Sequence, residues 1–107
     1  MDINVLNNYT TEIYLNNDEY SFELLLVDIN NIINSTAQII YPDVKDKILY
    51  GIEDFKQEVL LKIWLYLENK LVKFDNAEDV NKFVFNIAEE VLKETRGWYF
   101  DKDKVFR

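Results

Sequence analysis

The chain has 107 residues, of which 49% are hydrophobic and 15% aromatic, with a formal net charge of −8. That length fits one domain with a modest core, and the apolar content is too rich for a disordered segment. There is no Cys and no His, so disulfides and the usual zinc chemistries are excluded and packing alone must hold the fold.

Metal binding could come only from carboxylates, and no spacing resembles a calcium loop, so no cofactor is expected. The opening "MDINVLNNYT" has neither a basic start nor an apolar run, and no stretch of about 18 apolar residues follows. The expectation is a cytoplasmic protein that does not enter a membrane. The acidity repels nucleic acid, so any such contact must be local and helped by a partner. Residues 1–20 carry Asp2, Glu12, Asp18 and Glu19 with no cation. Abundant Asn, Ile and Lys fit an AT-rich genome, as in a low-GC bacterium or one of its phages.

Residues 1–18 are Asn-rich and ambiguous; "EIYL" alternates weakly and "NN" can turn, which leaves an irregular or short-β arm. Over 19–40, Phe22, Leu25, Leu26, Ile29, Ile33, Thr36 and Ile40 recur at helical spacing, with Asp18 or Ser21 as the cap. Pro42 ends this helix, because the residue before a proline avoids the helical region. A connector, "PDVKDKILYG", leads to a second helix over about 53–71, with Glu53 and Asp54 at its positive end. "KFDN" breaks it. Asn76, with Asp79 three residues on, starts a third helix whose stripe is Val80, Phe83, Val84, Ile87 and Val91. Gly97 is expected to stop this helix, with Lys93 and Arg96 in its last turn. Residues 98–107 then form an aromatic and charged tail. The economical architecture is an all-α, compact bundle of three to four helices over 19–97, with the N-terminal arm beside it.

The second helix is two-sided. At about 100° per residue, Ile52, Phe55, Val59, Ile63, Tyr66 and Leu67 share one face, which is the core stripe. Nearly opposite lie Asp54, Glu58, Leu61, Leu65 and Glu68, with Gln57 and Trp64 at one edge. Acids around Leu61, Leu65 and Trp64 make an apolar centre with a charged rim, the composition of a docking surface. The competing reading is that the N-terminal arm or the tail folds over these residues and buries them. The third helix has an outer face of Lys82, Asn86, Glu89, Lys93 and Arg96, with Phe85 at its margin, which reads as a solvated or a weakly basic face.

The order of these pieces resembles region 2 of bacterial sigma factors, especially the short extracytoplasmic-function type. "GIEDFKQEVLLKIWLYL" (51–67) is similar to the family's pattern of an acidic pair, an apolar residue, Gln-Glu-Val, then Leu and an aromatic. "KFD" (73–75) and "NKFVFNIAEEVLKETRG" (81–97) follow in the family's order, and "QIIYPD" lies where the preceding segment belongs. The resemblance covers roughly residues 20–97. It implies that the second helix docks on the basic coiled coil of the polymerase β′ clamp through Asp54, Gln57, Glu58, Leu61 and Trp64, with Leu65 and Glu68 beside them. It also implies DNA contacts from Lys82, Phe83, Phe85, Asn86, Lys93 and Arg96 when polymerase is bound. Two departures oppose promoter reading: Glu89 and Glu90 stand where relatives have Arg-Asn, and "GWYFDKDKVFR" replaces a basic run. The family's second module, which reads the upstream promoter element, has no counterpart through Arg107. The implied protein is one half of a split sigma factor, a factor whose partner supplies region 4, or a mimic that blocks host sigma. Either way, Leu61→Asp or Trp64→Ala is expected to abolish polymerase binding and leave the fold intact.

A different class is a small acidic interaction module, adaptor or antitoxin-like, that uses the same face without polymerase. Catalysis is not expected. The paired carboxylates Glu53/Asp54 and Glu89/Glu90 are adjacent in sequence, so each pair diverges around its helix.

Overall fold

Three short side chains set where helices begin. Asp2 accepts from the backbone N–H groups of Asn4 and Val5, at 3.0 and 3.4 Å, and opens α1 (Ile3–Asn16). Asp18 accepts from Tyr20 and Ser21 in the same way, and from the Ser21 hydroxyl, and opens α2 (Glu19–Ile40). Asn76 accepts from Asp79 N–H at 2.9 Å and opens α4 (Ala77–Val105), while the Asp79 carboxylate accepts from Asp75 N–H at 2.8 Å. Each cap satisfies amides that have no partner within the helix. Between α2 and α4 come a 3₁₀ turn (Tyr41–Asp43) and α3 (Ile52–Asn69), which starts after Gly51 without a side-chain cap. The computed structural model describes residues 1–43 and 51–105, with side chains through Tyr41 and Pro42 and again from Gly51 to Glu94.

The three helices anticipated from periodicity are α2, α3 and α4, and no strand occurs among the described residues. The N-terminal segment differs from expectation. It is neither irregular nor short-β but a helix packed into the bundle, with Leu6, Thr10 and Ile13 buried. Asn17 takes a left-handed conformation (φ 51°) and its N–H donates to Ile13 O at 2.9 Å, so the "NN" turn is a helix C-cap. Asp18 caps the next helix at once, so α1 and α2 meet in a tight corner. Polar hooks hold α1 to the segment after α3. Asn7 Nδ2 donates to Phe74 O at 2.9 Å while Phe74 N–H donates to Asn7 Oδ1 at 2.8 Å. The Thr10 hydroxyl donates to Val72 O at 2.7 Å.

The core sits where the helices meet. Leu25, Ile29, Ile33 and Ile40 of α2 pack with Phe55, Val59, Ile63 and Leu67 of α3 and Val80, Val84, Ile87 and Val91 of α4. α2 and α3 run antiparallel, since Phe22 meets Trp64 at one end and Tyr41 meets Phe55 at the other. α4 also departs from expectation. Gly97 does not end it, and the helix continues to Val105, so 98–105 is not a separate tail. A glycine inside a helix costs only about 1 kcal/mol, which flanking helical turns absorb. The connector expected over 42–51 lies largely outside the described residues.

Candidate docking surface on the third helix

α3 buries one stripe and leaves the opposite face open. Phe55, Val59, Ile63 and Leu67 are each at most 2% exposed, whereas Leu61 is 53% and Leu65 48% exposed. Apolar side chains occupy both faces, but neither α1 nor any other described element covers the second. Asp54, Gln57 and Glu58 are exposed beside these leucines, and Glu68 is half-buried. The expected apolar centre with an acidic rim is therefore present as a surface, and the reading in which an N-terminal arm buries it does not hold. α1 packs on α2 and α3 while Leu61 and Leu65 stay half-exposed.

Trp64 belongs only partly to that surface. It is half-buried, with its ring centroid 4.8 Å from that of Phe22 on α2. Trp64→Ala would therefore remove an inter-helix contact together with a docking side chain. The cleaner docking residues are Leu61 and Leu65.

The α4 residues divide into two groups. Phe83 points inward, edge-on to Tyr66 (5.5 Å) and Phe74 (5.6 Å), so it joins α4 to α3 and the loop and is not free to stack on a base. Lys82 is exposed but pairs with Glu78 at 3.6 Å. Asn86 and Lys93 are exposed; Arg96 lies in α4 with its side chain outside the described residues. Phe85, 38% exposed, borders a groove of about 480 Å³ between α2 and α4. That groove brings Asn31, Ser35 and Ile39 of α2 beside Lys82, Phe85 and Asn86. The α2 residues carried no signal in the sequence, because they reach the groove only through the crossing of the two helices.

The two glutamates that break the family pattern also part company. Glu89 is exposed on the side of Lys93, whereas Glu90 turns to α3, where its carboxylate lies 3.8 Å from Lys62 Nζ. Glu94 pairs with the same ammonium. Glu90 is thus accounted for by contact between α3 and α4. Among the described residues no group of three or more acidic side chains could hold a metal ion, and no helix is long and apolar enough to cross a membrane.

Comparison with protein-family models, with curated proteins and with solved structures found no match for the chain.

Proposed function

We propose that the protein binds bacterial RNA polymerase through the outer face of α3, as a sigma region 2-like factor that docks on the basic β′ clamp coiled coil. The observation that carries this reading is the pair Leu61 and Leu65, half-exposed on a fully formed helix and flanked by Asp54 and Glu58. An apolar centre gives affinity to such a contact, and complementary rim charge orients and speeds it. The motif "EDFKQEVLLKIWLYL" supplies the choice of partner by resemblance.

Docking without independent promoter reading is the version we favour. Phe83 is engaged in the core, Lys82 is paired with Glu78, and Glu89 adds negative charge where phosphate would lie. Specific initiation would then need promoter contacts from outside this domain, and without them the protein would occupy the clamp and exclude host sigma.

The test is retention of purified core polymerase by the tagged protein. Wild type is expected to retain it and Leu61→Asp to lose it, with unchanged helical content. If wild type retains none, the reading fails. Run-off transcription with reconstituted core then distinguishes a factor that directs initiation from one that blocks it. A tight homodimer on the same face, seen by light scattering, would point instead to an interaction module unconnected with polymerase.

A further inference from the structure

The α3 surface does not stop at α3. Lys62 lies four residues after Glu58 and three before Leu65, so it adjoins both on the helix, on the side that turns toward α4. There its ammonium is shared by Glu90 and Glu94, both exposed. One cation between two carboxylates leaves the seam negative, and Glu58 adds a third acid beside it. The acidic rim of the Leu61–Leu65 patch therefore continues onto α4 on this flank.

We infer that α4 contributes Glu90 and Glu94 to the docking surface, and that the surface takes a basic amphipathic helix lying across the α3–α4 seam. The inference rests on the α3 docking reading and specifies the chemistry of its partner. Apolar side chains of the incoming helix, at spacings of three and four, cover Leu61 and Leu65. Its Lys or Arg residues on one flank meet Glu58, Glu90 and Glu94 in competition with Lys62. Charge complementarity selects this occupant: a second copy of a chain carrying −8 would bring acids to acids.

The test uses two probes, core RNA polymerase and a synthetic Leu–Lys amphipathic helix, with a Ser–Lys peptide of equal charge as control. Affinity is read by fluorescence anisotropy across a salt series. The E90Q/E94Q double variant is expected to bind both probes about tenfold more weakly at low salt, the gap closing as salt screens the rim. Lys62→Met is expected to bind more tightly, since it removes the internal competitor. That gain separates docking from a purely structural ion pair, whose loss would only weaken binding, and it decides the matter should the double variant melt early. Unchanged affinity of the folded double variant, with Leu61→Asp inactive, overturns the inference and leaves the α3 reading standing. Binding of the Leu–Lys helix through Glu90 and Glu94 without polymerase retention supports the inference and removes the polymerase reading. Equal binding of the Ser–Lys control reduces the surface to unspecific charge and overturns it.

Discussion

Phe22 and Trp64 close the seam between α2 and α3, their ring centroids 4.8 Å apart and their planes inclined at 57°. The contact draws the largest side chain of the outer α3 face into the bundle and leaves Leu61 and Leu65 as the open apolar pair. Truncating Trp64 to Ala should lower the unfolding free energy by about 2–4 kcal/mol, toward the range for large buried aromatics. Urea denaturation measures this, and Trp64→Phe should recover most of the loss by keeping a ring against Phe22.

Leu61→Asp and Leu65→Asp should behave in the opposite way. Each leucine is about half exposed and opposite the core stripe, so stability should change by no more than about 0.5 kcal/mol. Retention of the partner should fall sharply in the same samples. A large drop in urea midpoint would show that these leucines are covered in solution.

The two neighbouring phenylalanines of α4 give a matched pair. Phe83→Ala removes edge contacts to Tyr66 and Phe74 and should cost about 3 kcal/mol. Phe85→Ala, at the rim of the α2–α4 groove, should cost less than about 1 kcal/mol. Thermal melting of the two variants side by side checks the order.

Asn7 fixes α1 to the loop after α3 through both ends of its amide. Asn7→Ala leaves Phe74 N–H and C=O without their partner and should cost about 1–3 kcal/mol. Asn7→Asp keeps the acceptor for Phe74 N–H but sets a carboxylate against the Phe74 carbonyl, and should recover only part of the loss. Hydrogen exchange of the Phe74 amide reports the same event locally. Faster exchange in Asn7→Ala with α1 still helical would confirm the clamp.

Much of the fold was legible because its signals are short-range. α2 coincides with the span read from its stripe and from Asp18, although Tyr41 before Pro42 keeps a helical backbone (φ −60°, ψ −42°) and a 3₁₀ turn carries the chain past the proline. α3 and the start of α4 follow from periodicity of 3.6 and from the Asn76–Asp79 cap. α1 was not legible as a helix. Its buried residues are only Leu6, Thr10 and Ile13, among asparagines and threonines that disfavour helix interiors, so its propensity is weak. What fixes it is tertiary: burial on α2 and α3, and the hooks to Val72 and Phe74. The same hydroxyl and amide groups that lower its propensity make those hooks. Gly97 shows the reverse error, a strong local stop signal overridden by the helical turns on either side.

The sequence by itself determined that the chain is helical, that α3 carries more leucine than one core face needs, and that acids surround the surplus. These follow from spacing along a single helix, which fixes direction around the axis whatever the neighbours are. Only the tertiary structure decided which surplus side chains remain in solvent. Trp64 is half-buried against Phe22, while Leu61 and Leu65 stay about half exposed, covered by no described element. The physical reason is that spacing sets where a side chain points on its own helix, and burial depends on what another helix places opposite it.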